Sequence, residues 1–114
     1  MDINEITRTA VTIASENQAE DIVLLDLRKL TQFTDYFIIM SAESSRQLKA
    51  LQKELEATFE RVGVSMYHKE GSAESGWILL DLNDLIIHIF GTKEREYYKL
   101  DEIWSGATQV VRVL

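Results

Sequence analysis

Trp77-Ile78-Leu79-Leu80 and Leu85-Ile86-Ile87-His88-Ile89-Phe90 are two apolar runs separated by the four residues Asp81 to Asp84. Short apolar runs around such a break predict a β-hairpin, with its turn at Asn83-Asp84. Asn tolerates the left-handed backbone of a tight turn, so the turn needs no glycine. Neither run alternates apolar with polar residues, and that property restricts the fold most. Strands without a polar face are covered on both sides, by helices on one and by something else on the other. In a chain of 114 residues, that second cover can be another molecule.

One domain with a single core fits this length. A hydrophobic content of 46% argues for a folded chain. There is no Cys, which excludes disulfides and thiolate metal sites and suits a reducing compartment. Met1-Asp2-Ile3-Asn4-Glu5 is not a signal peptide, and no segment approaches the roughly 20 apolar residues of a membrane span. A cytoplasmic protein with no membrane contact is expected. Twelve Lys and Arg against nineteen Asp and Glu give a formal charge of −7. Nucleic-acid affinity rests on neutralised phosphates, and no basic run exceeds Arg28-Lys29. Little direct nucleic-acid contact is therefore expected, and a basic protein partner suits the charge better.

Asp2-Ile3-Asn4-Glu5 has the form of a capping box and predicts a helix to about Glu16, with Ile3, Ile6, Ala10 and Ile13 as its apolar stripe. Residues 22–27 and 36–40 read as strands. Ser44-Ser45-Arg46-Gln47 is a second capping box, opening the longest helix with Leu48, Leu51, Leu55, Phe59 and Val62 at helical spacing and Gly63 as its stop. Residues 64–67 predict a short third strand and 68–76 a polar loop. Thr92 is expected to cap a short helix through Lys99. The last residues carry Val110, Val111, Val113 and Leu114, enough for an edge strand or a mobile tail. The order predicts an α/β fold, a mixed five-stranded sheet with flanking helices. A single domain spans 1–106, and 107–114 is a C-terminal tail.

Gly71-Ser72 followed by Asp81 and Asp84 imitates the Gly-Ser and paired-Asp signature of nucleotidyltransferases, where two carboxylates hold metal ions. Carboxylates sharing a strand face sit at i and i+2. Here they are at i and i+3, with neutral Asn83 at i+2, so a solvated turn is the better reading. His88 reads as a hydrogen-bonded core or interface residue, and with His68 as the only other histidine no zinc spacing arises. Ser44 and Ser45 are explained as a helix start, and no phosphate-binding glycine loop is present. No metal, cofactor or catalytic residue is expected. Trp77 beside a polar loop, and Arg95, Tyr98 and Lys99 at i, i+3 and i+4, are instead the residue types that anchor protein interfaces. Leu82 near the hairpin turn adds to that surface.

Residues 21–27, Phe33-Thr34-Asp35-Tyr36-Phe37-Ile38-Ile39, Ser44-Ser45-Arg46-Gln47, residues 77–84, His88-Ile89-Phe90, Arg95-Glu96-Tyr97-Tyr98 and Leu100-Asp101-Glu102-Ile103-Trp104 fall in one collinear series. In order and spacing it resembles the ribosomal silencing factor (Iojap-like) family over roughly residues 3 to 107. The resemblance implies a fold similar to that of nucleotidyltransferases without the catalytic residues. It also implies binding to the large ribosomal subunit, at ribosomal protein number fourteen, on the face that meets the small subunit. Occupying that face hinders subunit joining and represses translation. Asn83 stands where the family usually has Gly, Gly76 where it has Arg before the Trp, and the residues after Trp104 depart from its pattern.

The expected function is a non-enzymatic silencing factor acting by steric exclusion. Trp77, Leu82, Asp84 and Tyr98 are the expected anchors, with Arg95 and Lys99 as charged partners. The rivals are a nucleotidyltransferase-like enzyme using Asp81 and Asp84, and a large-subunit assembly adaptor. A homodimer is left open.

Overall fold

Asp2 and Ser44 start the two long helices as their capping boxes predict. In the computed structural model, which describes residues 1–114, the Asp2 carboxylate accepts from the Glu5 amide at 2.9 Å and opens α1 (Ile3–Glu16). Ser44 Oγ accepts from the Gln47 amide at 3.1 Å and opens α2 (Ser45–Arg61). Gln47 reaches back to the Glu43 amide, one residue before the cap, at 2.7 Å. Gly63, at φ +77°, reverses the chain after α2, and the Val64 amide closes on the Phe59 carbonyl at 2.9 Å.

Six strands form one sheet in the order β3-β4-β5-β2-β1-β6. They are β1 (Glu20–Asp26), β2 (Tyr36–Ala42), β3 (His68–Ser72), β4 (Trp77–Asp81), β5 (Leu85–Gly91) and β6 (Thr108–Val113). Only β2 and β5 run parallel, and α2 with the β3–β4 hairpin lies between them in sequence. The β4–β5 hairpin forms with Asp81 opposite Ile86, and Asn83 takes the left-handed turn conformation at φ +76°. The sheet is mixed as expected but has one strand more, because Thr108–Val113 pairs with β1.

Two details differ from expectation. The third strand is His68–Ser72, not residues 64–67. Val64 and Met66 instead pack against the core as irregular chain. Every residue of β3 is exposed, so no hydrophobic alternation marks it, and its backbone ladder to β4 holds it in place. Gly71, at φ +83°, is required there, because a Cβ would run into the Trp77 carbonyl oxygen. The second difference lies at α3 (Thr92–Tyr98). Its N-cap is Gly91 and no side chain caps it, and the Thr92 hydroxyl turns to the Ala42 carbonyl at 3.5 Å. Lys99, at φ +53°, then breaks the chain before α4 (Leu100–Ile103).

Alternating strand residues separate the two faces. Ile22, Leu24, Ile38, Met40, Ile78, Leu80, Ile87 and Ile89 point toward α1 and α2, where Ala10, Ala14, Leu48, Leu51, Leu55 and Phe59 meet them in the main core. Val23, Leu25, Phe37, Ile39, Ile86, His88 and Phe90 point the other way. The doubly apolar hairpin is thus one strand pair feeding two cores.

Candidate protein-binding face

No long helix covers the second face. Its lid is the segment after α3: Leu100, Trp104 and Ala107 pack on the Val23, Leu25, Leu27, Phe37, Ile39 and Phe90 cluster. Phe37 and Trp104 meet edge to face with centroids 5.4 Å apart.

Arg95 ties this lid to the sheet. Its Nε and Nη2 donate to the Asp101 carboxylate at 3.2 and 2.9 Å, and its Nη1 donates to Ser41 Oγ at 3.0 Å and to the Asp21 carbonyl. The Asp21 carboxylate accepts two bonds from Arg112 of β6, at 2.8 and 2.9 Å. One guanidinium thereby joins α3 and α4 to β1 and β2, and Asp21 extends the link to the last strand. Burial pushes the Asp101 carboxyl up, but its hydrogen bonds to Arg95 and that cation's charge leave it below the usual carboxylate range.

The lid ends short of β4 and β3. On the uncovered part, Trp77, Leu79 and Tyr98 line a depression of about 250 Å³ whose rim is Glu70, Gly71 and Ser75. Trp77 packs beside both Phe90 and Tyr98, at centroid distances of 4.9 and 4.6 Å. Its indole Nε1 donates to His88 Nδ1 at 3.2 Å. His88 is 3% exposed and enclosed by Phe37, Trp77 and Phe90. Burial pushes its pKa down to about 4, against a small upward pull from Asp101, so the ring is neutral at pH 7. Its Nε2 is buried without a partner among the protein's own groups.

Of the residues singled out in the sequence, the fold gathers Trp77 and Tyr98 on this surface. Asp84 is exposed on the hairpin turn, and Lys99 is exposed at the α3–α4 break. Leu82 and Arg95 turn inward. Leu82 is 6% exposed and belongs to the helix-side core, because the tight turn folds it back against Leu85. Arg95 is 9% exposed and each of its three guanidinium nitrogens donates within the chain, so it holds the lid. The helical face imagined for Arg95, Tyr98 and Lys99 does not form, since α3 ends at Tyr98. Leu79 and Glu70 were missed. Leu79 gave no signal beyond lying two residues from Trp77 on one strand, and Glu70 lay in a stretch read as loop.

The imitation of a nucleotidyltransferase site also comes apart. Ser72 pairs with Trp77 and Asp81 with His68, so Gly71-Ser72 and Asp81 lie near opposite ends of the β3–β4 ladder, about 13 Å apart at strand rise. Asp81 Oδ1 accepts from the Asn83 amide at 2.8 Å, which occupies it in shaping the turn. No three His, Asp or Glu residues cluster in a way that could hold a metal ion. No helix is long and apolar enough to cross a membrane.

These features define a mixed α/β domain with one sheet face filled by helices and an aromatic surface left on the other. A family model described as "Ribosomal silencing factor during starvation" matches residues 1–113, and the chain belongs to that ribosome-associated, translation-silencing family. It is 33% identical to the ribosomal silencing factor RsfS of Bacillus subtilis, over 94% of this chain and 91% of that one. A crystal structure of a Chromobacterium violaceum protein superposes with a TM-score of 0.88 at 30% identity, covering 97% of this chain and 94% of the other. The mouse protein named "Mitochondrial assembly of ribosomal large subunit protein 1" is 29% identical over 83% of this chain and 43% of its own length.

Proposed function

We propose that this chain binds the large ribosomal subunit through its ribosomal protein number fourteen, using the Trp77–Tyr98 face. Bound there, it blocks the approach of the small subunit and lowers translation without any catalytic step. The observation that carries this reading is an uncovered aromatic surface in a chain of family-wide silencing function. Trp77, Leu79 and Tyr98 sit where the lid stops, and no cation lines their depression. A net charge of −7 favours a basic ribosomal protein and disfavours the RNA around it. Cytoplasmic action and the absence of a cofactor are part of the same reading. Self-association into a homodimer is a further partner reading, checked by molar mass in solution.

The test is sedimentation. The tagged protein should travel with free large subunits and be absent from joined ribosomes, and adding it to separated subunits should lower the joined fraction. Equal binding to joined and free particles would sink steric exclusion. The name of the mouse relative favours a second reading, a large-subunit assembly adaptor. In that case immature large particles would accumulate on deletion while joining of mature subunits in vitro stayed unaffected.

A further inference from the structure

His88 is the one polar side chain inside the aromatic cluster of the second face, and packing alone does not explain it. Its neighbours are Phe37, Trp77 and Phe90, a setting in which an apolar side chain would fill the space and bring no polar atom of its own. The chain instead buries a ring whose Nε2 has no partner among its own groups. What the ring does provide is an acceptor. An indole N–H only donates, so the bond from Trp77 Nε1 requires the lone pair on His88 Nδ1. A neutral imidazole that accepts at Nδ1 carries its proton on Nε2, the atom left unpaired. Burial among aromatic rings keeps the ring in that neutral form at pH 7.

We propose that His88 is a positioning residue for the partner-binding face: its Nδ1 fixes the orientation of the Trp77 indole against Tyr98 and so presets the surface that the partner meets. The proposal rests on the reading of Trp77 and Tyr98 as partner contacts. Trp77 has strand backbone on both sides, and the tilted rings of Phe90 and Tyr98 meet it from two adjacent directions, so packing against them restrains the indole plane. Rotation within that plane is restrained by the bond at its Nε1 edge. Without the acceptor, the indole N–H would turn to solvent or remain unpaired, and the side chain would lose one of its two restraints. A face preset in this way binds without ordering its central anchor at the moment of contact.

His88→Leu and His88→Asn separate this role from a packing role, because an Asn side-chain oxygen can stand where Nδ1 stands and a Leu cannot accept. Three readings are taken on each variant: thermal melting, the indole proton resonance of Trp77 (assigned by its loss in Trp77→Phe), and sedimentation with purified large subunits. His88→Leu should melt at or above the parent temperature, shift the Trp77 indole resonance, and bind large subunits roughly tenfold more weakly, as for one lost hydrogen bond of ordering. His88→Asn should recover the resonance position and most of the binding. Normal binding by His88→Leu, while Trp77→Ala binds poorly, overturns the positioning role and leaves the face reading intact. Normal binding by both His88→Leu and Trp77→Ala removes the face reading itself. Early melting by the Leu and Asn variants alike makes His88 an ordinary member of the core and also overturns the proposal.

Discussion

The two faces of the sheet are built from the same strands and solved differently. On the helix side, 19 buried residues form one cluster, and two capped helices of ordinary length close it completely. On the other side only 6 residues form the buried cluster, and the cover is two short helices and a connecting segment held by a single arginine. The first face behaves as a core and the second as a core left unfinished at β4. Stability is concentrated on one side of the molecule, which leaves the other free to carry a surface that a stable monomer would otherwise bury.

Truncating the helix-side core should have the largest effect. Phe59→Ala should cost about 3–5 kcal/mol of unfolding free energy by denaturant melts, since Phe59 is 1% exposed among close-packed neighbours. If an equal loss followed Leu79→Ala on the open face, the contrast between the faces would be wrong.

Arg95→Ala should come next, at about 3 kcal/mol, because it strands Asp101 and frees the lid. Lys at this position cannot reproduce the paired bonds to Asp101 and should recover only part of the loss. Partner binding should fall too, through displacement of Tyr98, although Arg95 itself is out of reach.

Acid should weaken the second face in two windows. His88 has a folded pKa of about 4 against an ordinary value of 6.5. Between those values the unfolded chain binds more protons, so stability falls by roughly 3 kcal/mol as pH drops from about 6.5 to about 4. Asp101 contributes in the same sense at lower pH, since its unfolded form also binds the extra proton. Its carboxyl is depressed, so its stabilisation is present above the ordinary value of 3.8 and is lost as pH falls further. His88→Leu should erase the upper window alone, and a melting profile flat from pH 7 to pH 4.5 in the parent would contradict the burial of that ring.

Binding effects should be smaller in free energy and confined to the open face. Trp77→Ala should weaken large-subunit binding by about 2 kcal/mol. A Trp77→Ala protein that melts early yet binds normally would return that residue to the core. The smallest effect is expected at the hairpin tip. Asp84→Asn should slow association by a salt-sensitive amount worth about 1 kcal/mol or less, and Asp81→Asn, whose amide oxygen can still accept from Asn83, should do less. Magnesium with nucleotide should leave the melting temperature unchanged. A shift erased by both substitutions would bring back the enzyme.

The strongest periodic signals were legible in the chain. Capped amphipathic helices were readable because their polar starts and i, i+3, i+4 stripes are local properties, and the β4–β5 hairpin was readable from its two apolar runs and Asn83. Its doubly apolar character also announced a second covered face. Local sequence could not show β3, which is exposed along its whole length and exists through pairing with β4. Nor could it choose between edge strand and tail for residues 108–113, since that depends on the free edge of β1 and on Arg112 reaching Asp21, 91 residues away. The candidate site divided along the same line. Trp77 and Tyr98 were visible as residue types, whereas the inward turns of Leu82 and Arg95 and the seat of His88 under Trp77 were not. Arg95 is turned by Asp21 and Ser41, 74 and 54 residues away, and Leu82 and His88 by the register of the β4–β5 hairpin within the sheet, so residue identity and spacing determined which elements form and tertiary packing decided which way each side chain faces.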